Sequence, residues 1–239
     1  MKLDLMVMSV HPDDAELGAG GTIAKYVAEG KTVGIIDLTR GELGTRGTAE
    51  TRAEEAAEAA RILGVAVREN LGLRDGFFAN EEDSQRVIIS IIRKYRPEII
   101  ITNAIDDRHP DHGRASKLVN DSLFLSGLRR VETQLDGVNQ KAFRPRLQLQ
   151  LIQDKYLQPD IILDISSYWE LKEKSILAYK TQFNSLTEED GPQTYISKPD
   201  FMEYTKARAR EFGRNIQVSY GEGFTSRKLL GVNDLFELI

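Results

Sequence analysis

The stretch Leu3–Val10 reads LDLMVMSV, and the polar sequence HPDD at His11–Asp14 follows it directly. A short apolar run that ends in polar residues is typical of a strand buried on both faces of a sheet. Strands of that kind occur in parallel sheets, because helices cover both faces of such sheets. Leu3–Val10 therefore predicts the first strand of an α/β sheet, with His11–Asp14 at its carboxyl end.

Outward from this strand, apolar segments alternate with helical patterns through residue 165. The predicted strands after the first are Thr32–Leu38, Arg68–Leu71, Glu98–Thr102, Leu147–Gln153 and Ile161–Ile165. The predicted helices between them are Thr22–Glu29, Ala49–Leu63, Glu82–Tyr95 and Pro110–Leu125. This alternation predicts an α/β fold with a mostly parallel sheet, right-handed crossovers and helices on both faces.

The pattern is weaker in the last third of the chain. Tyr168–Thr181 and Phe201–Phe212 have helical patterns, whereas Asn184–Pro199 is polar and contains the glycine and prolines of a loop. Residues 213–239 carry no pattern that predicts an element. Because no repeat, low-complexity tract or linker divides the chain, we expect a single domain over residues 1–239, a length that is ordinary for an α/β domain.

The composition excludes several classes of protein. No apolar run approaches the roughly 18 residues of a membrane span, and Met1–Val10 lacks a signal-peptide cleavage site, so we expect no membrane partner and a cytoplasmic location. The formal net charge is −5 and the basic residues are scattered, which disfavours nucleic-acid binding. There are no cysteines, so a transition-metal site would need histidine and carboxylate ligands.

The chain has three histidines, and each follows a predicted strand. His11 lies in a His-Pro-Asp triplet after the first strand, and His109 opens a second such triplet, which His112 follows directly. Ligands of open α/β sheets bind beyond the carboxyl ends of the strands. The two triplets are therefore expected to face each other across one crevice.

Each triplet by itself has a purely structural interpretation. A single histidine at a strand end is usually a hydrogen-bonded polar residue or a helix cap. Asp13 or Asp111 could favour a helix N-terminus, and Pro110 suits the first position of a helix. Two triplets that together account for every histidine favour a metal site instead.

The chemistry of a hydrolytic zinc site matches this set of residue types. A catalytic zinc takes about three protein ligands and keeps one position for water, and imidazole and carboxylate are suitable donors. A second carboxylate then serves as general base, so Asp13 and Asp14 could divide the roles of base and ligand. With His112 on the metal, His109 would stabilise an oxyanion or protonate the leaving amine, assisted by Asp111.

The two motifs His11–Asp14 and His109–His112 together resemble those of the LmbE-like (PIG-L) family of zinc-dependent N-deacetylases. The resemblance covers about residues 1–165 and implies a Rossmann-like three-layer sandwich, followed by a C-terminal extension over about residues 166–239. It also implies one Zn²⁺ per chain, with Fe²⁺ as another candidate, and a homo-oligomer such as a hexamer. Over its whole length the chain is most similar to the bacillithiol biosynthesis deacetylases, which remove acetate from N-acetylglucosaminyl-malate.

The resemblance also implies a role for each residue of the two motifs. His11, Asp14 and His112 would be the zinc ligands, and Asp13 would be the general base. The other two residues are the oxyanion-stabilising acid and the carboxylate that orients it, His109 and Asp111.

Three further residues are implied to lie near the substrate, a small-molecule glycoside. Arg52 matches a family arginine that contacts the sugar or its anionic aglycone; alternatively it is a solvated helix residue paired with Glu54 or Glu55. Tyr195 matches a loop tyrosine that some members place over the metal, and Arg144 is expected near the acetyl pocket. The mycothiol branch of the family has a tyrosine where this chain has Asp107, so that tyrosine's role is not transferred.

Two glycine-rich stretches require separate interpretation. Gly18–Gly21 does not complete the G-x-G-x-x-G pattern of dinucleotide-binding proteins, so these glycines are expected to let a helix approach the sheet closely. Gly41–Gly47 lacks the Lys-Ser/Thr ending of a P-loop. We expect it to form a flexible rim of the pocket rather than an ordinary connection.

The residues leave two alternatives to an N-acetylglucosaminyl-malate deacetylase. One is a deacetylase or amidase that acts on another glucosamine conjugate, including mycothiol-like adducts. The other is a non-catalytic metal-binding protein of the same fold. Asp13 separates the last from the enzymes, because a purely structural metal site does not need a second carboxylate beside its ligands.

Overall fold

The computed structural model describes residues 1–183 and 192–237 of the chain. Its strands are β1 Leu5–Ser9, β2 Val33–Thr39, β3 Val67–Leu73, β4 Ile99–Thr102, β5 Gln134–Leu135, β6 Val138–Asn139, β7 Leu147–Leu151, β8 Ile161–Asp164 and β9 Gly221–Thr225. Its helices are α1 Asp14–Ala28, α2 Ala49–Leu63, α3 Glu82–Tyr95, α4 Pro110–Ser126, α5 Trp169–Leu177 and α6 Asp200–Asn215. Helices α2 and α3 have the bounds that the sequence predicts.

Within the described residues, seven strands form one sheet in the order β3-β2-β1-β4-β7-β9-β8. Strands β3, β2, β1, β4 and β7 run parallel to one another, whereas β9 pairs antiparallel with both β7 and β8. The prediction of an α/β fold with a mostly parallel sheet is therefore confirmed. Strands β5 and β6 form a separate small hairpin.

The order of the strands creates a crevice at the carboxyl ends of β1 and β4. Strands β2 and β3 lie on one side of β1, and β4 and β7 lie on its other side. Ligands of open α/β sheets bind at such a switch point, because the connections that leave the two central strands diverge there. The segments that carry the two His-Pro-Asp triplets leave β1 and β4 at this point.

The sheet is buried on both faces, as the apolar run in β1 predicts. Met6 and Met8 pack in one apolar cluster with residues of α3 and α4. Leu5 and Val7 point to the other face and pack in a second cluster with residues of α1. This alternation follows from the two-residue period of a strand, and it confirms that helices cover both faces.

Helix α1 begins at Asp14 rather than at the predicted Thr22, so the prediction of its start was wrong. The glycines between these positions lower the helix propensity of the segment, and tertiary packing overrides that local preference. A Cβ atom at Gly18 would lie 2.8 Å from the side chain of Leu151 on β7. The glycines therefore permit α1 to lie close to the sheet, as expected, and they do not form a dinucleotide-binding loop.

The C-terminal third adds elements to the same sheet. Strand β9 lies in the region for which the sequence predicts no element, because its glycines give it low strand propensity and only its position between β7 and β8 stabilises it. The predicted helices Tyr168–Thr181 and Phe201–Phe212 correspond to α5 and α6. Of the predicted loop Asn184–Pro199, residues 184–191 lie outside the described residues. Nowhere in the described ranges is a helix both long and apolar enough to cross a membrane.

A buried ion pair joins α5 to β9 and α1. The Nζ atom of Lys172 lies 2.5 Å from Oε1 of Glu222, and both side chains are almost fully buried. The same carboxylate accepts hydrogen bonds from the backbone N–H groups of Gly21 and Thr22 in α1. Breaking a buried pair by removing one partner is costly, because it leaves an uncompensated charge in the interior.

We expect Lys172→Met to lower the free energy of unfolding by about 3–5 kcal/mol, measured by urea denaturation, because Glu222 would remain buried without its cation. The matched control is Lys174→Met on the exposed side of α5, which should change the same quantity by less than about 0.5 kcal/mol. Equal effects of the two substitutions would show that the ion pair does not stabilise this region.

Candidate metal centre and active site

One cavity of about 550 Å³ opens at the carboxyl ends of the parallel strands. Its volume lies within the range of small-molecule sites, roughly 300–1,000 Å³. Segments that follow β1, β2, β3, β4 and β7 line the cavity, and one face of α6 lines it as well. The six residues of the two motifs that carry predicted roles all line the cavity: His11, Asp13, Asp14, His109, Asp111 and His112.

Asp14 lies between two imidazole rings. Its Oδ2 atom is 3.6 Å from Nδ1 of His11, and its Oδ1 atom is 3.2 Å from Nε2 of His112. Donor atoms that surround a zinc ion tetrahedrally at about 2.1 Å are about 3.4 Å apart. The two contacts of Asp14 therefore have lengths close to the spacing between neighbouring ligands of one small cation.

Asp14 is also held in place by neutral donors. Asn103, directly after β4, donates to Oδ2 over 3.0 Å, and Gln153, shortly after β7, donates to Oδ1 over 2.8 Å. The backbone N–H of His11 donates to Oδ2 as well. Such outer contacts fix the orientation of a ligand carboxylate.

Two other groupings of side chains also have donor atoms close together. In each set the donors lie within 4.8 Å of one another, and the sets are His11 with His109 and His112, and His11 with Asp75 and Asp111. We favour Asp14 over these alternatives because its two oxygens approach both His11 and His112. The two other carboxylates instead approach Nε2 of His11, the ring nitrogen that does not face Asp14.

Each imidazole that faces Asp14 is oriented by a further carboxylate. Nε2 of His11 lies 3.0 Å from Oδ1 of Asp75, and Nδ1 of His112 makes a short contact with Oδ2 of Asp107. Histidine ligands of metals usually bond a carboxylate through their second nitrogen in this way. The sequence prediction missed both aspartates. Asp75 follows β3 at the same edge of the sheet, so the strand-end argument could have found it.

The charges of the site favour a bound cation. Burial lowers the pKa of His11, but Asp111 and Asp75 outweigh this effect and raise the pKa to about 10. Burial likewise lowers the pKa of His112, and Asp14 and Asp107 outweigh it and raise the pKa to about 9. The carboxylates thus hold protons on both rings, and a divalent cation would displace those protons on binding.

Asp13 is placed by an unusual backbone conformation and by an arginine. Its φ is 115°, a value that non-glycine residues rarely adopt and that is typical of strained functional positions. Arg52 donates from Nη2 to Oδ2 of Asp13 over 2.7 Å and also to the carbonyl oxygen of Pro12. Burial raises the pKa of Asp13 to about 7, against the opposing effect of the Arg52 guanidinium.

His109 caps the N-terminus of α4 with its ring close to the other two histidines. Its Nδ1 accepts a hydrogen bond of 3.3 Å from the backbone N–H of Asp111. The neutral ring must then carry its proton on Nε2, which becomes a donor. Burial lowers the pKa of His109, and so do the charges of His11 and His112. His109 is therefore suited to donate a hydrogen bond in its neutral form.

The Asp111 carboxylate bonds groups other than His109, which differs from the orienting role implied by the resemblance. It accepts from the backbone N–H of Gly76 over 2.9 Å and pairs with Arg114 at 2.7 Å. The second position of α4 directs this side chain towards the loop after β3. It is the backbone of Asp111 that orients the His109 ring.

Of the three residues expected near the substrate, the structure places two, Arg52 and Tyr195, at the cavity. Arg52 lines the cavity but is only 4% exposed and bonds Asp13, so it is neither a solvated helix residue nor paired with Glu54 or Glu55. Tyr195 lines the mouth of the cavity, where its ring contacts the Arg108 guanidinium.

Arg144 is not brought to the cavity. Its guanidinium donates to the carbonyl oxygen of Phe124 and lies over that ring, at the C-terminal end of α4. His109 and His112 lie at the other end of the same helix. The loop Gly41–Gly47, by contrast, does contribute to the pocket, since Leu43 and Gly44 line it.

A comparison with protein families matches residues 6–123 to the PIG-L model, which is described as GlcNAc-PI de-N-acetylase. The matched segment contains both His-Pro-Asp triplets and the strands that position them. The chain belongs to the PIG-L family. Its membership confirms the resemblance seen in the motifs and places the chain among enzymes that hydrolyse amides.

Known relatives span more than one activity within this fold. A conserved protein of Thermus thermophilus has a solved structure that is 37% identical, with coverage of 97% of this chain and 98% of that chain and a TM-score of 0.85. The diacetylchitobiose deacetylase of Thermococcus kodakarensis is 28% identical over 75% of this chain and 70% of its own length. The 4-oxalmesaconate hydratase of Pseudomonas putida is 27% identical over 72% and 70%.

We expect Asp107→Ala to weaken zinc binding by about 10–100-fold, because His112 would lose the carboxylate that orients its ring. The measurement is competition with a chelator of known affinity. The control is Asp106→Ala, which removes the neighbouring exposed carboxylate paired with Lys155, and it should leave zinc affinity unchanged. Unchanged affinity in the Asp107 variant would contradict the assignment of His112 as a ligand.

Proposed function

We propose that this PIG-L family member is a zinc-dependent N-deacetylase whose substrate is N-acetylglucosaminyl-malate, as in bacillithiol biosynthesis. The observation that carries the proposal is the arrangement around Asp14. His11, Asp14 and His112, which we take as the cation ligands, lie directly beside the buried carboxylate of Asp13, and His109 lines the same cavity. The deacetylase activity of the Thermococcus relative gives further support.

In this proposal His11, Asp14 and His112 hold Zn²⁺, which would polarise the acetamide carbonyl and lower the pKa of a bound water towards about 7. Asp13 accepts the proton of the attacking water. Arg52 bonds Oδ2 of Asp13, which leaves Oδ1 to receive that proton. A pKa near the working pH is what an efficient general base requires.

His109 donates its Nε2–H group to the carbonyl oxygen as negative charge develops there. A preformed donor of this kind stabilises the transition state more than the ground state. The leaving amine needs one proton, and Asp13 can return the proton that it took from water. The lowered pKa of His109 supports the oxyanion role over the acid role, both of which the resemblance implies.

The position of Asp13 disfavours a non-catalytic metal protein. A structural site has no use for a buried carboxylate that is held beside the ligands by strained backbone and an arginine. A deacetylase or amidase that acts on a different glucosamine conjugate keeps the same chemistry and differs in the aglycone. The decisive experiment measures release of free amine by the zinc-loaded enzyme from four substrates: N-acetylglucosaminyl-malate, N-acetylglucosaminyl-inositol, diacetylchitobiose and a mycothiol-type adduct. The proposal requires the malyl conjugate to have the highest kcat/KM.

We expect Asp13→Asn to lower kcat by about 10²–10⁴ with unchanged zinc content, because an amide cannot accept the proton of water. Zinc is quantified in the same preparations, and Asp106→Asn serves as an exposed-aspartate control. Near-native turnover in the Asp13 variant would show that another group is the base.

Arg52→Lys should lower kcat about 10-fold for anionic and neutral substrates alike, because the shorter lysine side chain does not place its nitrogen where Nη2 of Arg52 bonds both Pro12 and Asp13. Steady-state kinetics with the malyl conjugate and the methyl glycoside of N-acetylglucosamine test this. The control is Arg61→Lys, an exposed residue of α2 that pairs with Glu58. If only the malyl conjugate is affected, Arg52 binds the aglycone instead.

A further inference from the structure

We propose that Arg208 of α6 forms a binding subsite for an anionic group, carboxylate or phosphate, on the aglycone of the substrate. The inference rests on the deacetylase function proposed above and assigns the part of the cavity that recognises the group beyond the sugar. Arg208 would be a substrate-binding residue that determines specificity and takes no part in amide hydrolysis.

Among the described residues, four lysine and arginine side chains line the cavity, and three of them pair with carboxylates. Each of the three contacts is short: Arg52 to Asp13 at 2.7 Å, Arg108 to Asp154 at 2.5 Å, and Lys172 to Glu222 at 2.5 Å.

Arg208 is the exception among these cavity-lining cations. Its Nη2 atom donates over 2.8 Å to the backbone carbonyl oxygen of Asp154, and no carboxylate within residues 1–183 and 192–237 pairs with it. Its side chain is half-buried, so water solvates the guanidinium only in part. A guanidinium in this state can bind a carboxylate or phosphate with two parallel hydrogen bonds.

The position of Arg208 suits a group attached to the reacting sugar. Gln153 bonds the Asp14 carboxylate, and the next residue, Asp154, bonds Arg208. The guanidinium therefore lies in the same cavity as the metal centre but beyond the side chains that hold it. A ligand with its acetamide at Asp14 can extend towards α6 from there.

Helix α6 presents one face to the cavity. The lining residues of this helix follow helical spacing, and they are Phe201, Tyr204, Thr205, Arg208, Ala209 and Phe212. Arg210 points away from this face, is exposed and lies over the ring of Tyr220. The helix therefore offers two arginines of equal charge, one inside the cavity and one outside it.

An anionic substrate needs such a residue because the rest of the site is acidic. The chain has a formal net charge of −5, and the metal centre is surrounded by the carboxylates of Asp75, Asp107 and Asp111. A bound cation would compensate part of this charge, and the remainder would repel a malyl or phosphoryl group. A local guanidinium reverses the sign of the potential at the place where the aglycone lies.

The test measures dissociation constants by calorimetry with the zinc-loaded enzyme. Three ligands are compared: N-acetylglucosaminyl-malate, N-acetylglucosamine 1-phosphate and the neutral methyl glycoside of N-acetylglucosamine, each with Asp13→Asn as the background to prevent turnover. Arg208→Gln should raise the dissociation constant of at least one anionic ligand by about 10-fold or more, and it should change that of the methyl glycoside by no more than about twofold. The anionic ligand whose dissociation constant rises more shows whether the subsite prefers a carboxylate or a phosphate.

The matched control is Arg210→Gln, which removes the same charge from the same helix and should change none of the three constants by more than about twofold. Arg208→Lys should retain part of the anionic preference, and circular dichroism of every variant checks the fold. Equal weakening of all three ligands, or equal effects of the two glutamine variants, would overturn the proposal.

Turnover with the Asp13-containing enzyme separates this inference from the proposed function. If the enzyme releases no amine from any of these N-acetyl substrates while Arg208→Gln selectively weakens anionic ligands, the deacetylase function fails and the subsite remains. If amine is released from the malyl conjugate but Arg208→Gln leaves both its affinity and its KM unchanged, the function stands and the subsite is wrong.

Discussion

The carboxylate of Asp14 joins the ends of three neighbouring strands. It receives hydrogen bonds from the backbone of His11 after β1, from Asn103 after β4 and from Gln153 after β7, and it also contacts the ring of His112. These contacts are possible only because β1, β4 and β7 are parallel neighbours whose carboxyl ends lie at one edge. The proposed metal centre, the proposed base beside it and the cavity all depend on this convergence.

The same convergence concentrates negative charge, which the protonated rings of His11 and His112 balance only in part. Asp75 and Asp107 lie behind the two ligand histidines, and Asp14 lies between them. Burying such groups is costly unless they are paired, because the interior solvates charge poorly. A divalent cation at Asp14 would compensate these carboxylates together. The stability of this region and its ability to bind metal are therefore two consequences of one charge distribution.

The residues that we propose for catalysis and those that we propose for substrate recognition lie in different parts of the chain. The segment that matches the PIG-L family, residues 6–123, contains both histidine motifs and Arg52. Helix α6 and Tyr195, which line the far part of the cavity, lie outside that segment. Relatives named as a deacetylase and as a hydratase share the fold.

The parallel strands, most helices and the two histidine motifs could be predicted from the sequence, because local apolar periodicity and strand-end position encode them. The insertion of β9 and the early start of α1 could not be predicted in this way, because tertiary packing there overrides the low propensity of glycine. The hydrogen-bond partners of the site residues are likewise known only from the tertiary structure. Asp75 contacts His11, and Arg52 bonds Asp13, although each pair is far apart in the sequence. Arg144 likewise bonds a residue distant in sequence, Phe124, and this contact holds it away from the cavity. Residue type and spacing predict which groups do chemistry, whereas contacts between distant segments determine which charges remain available to a ligand.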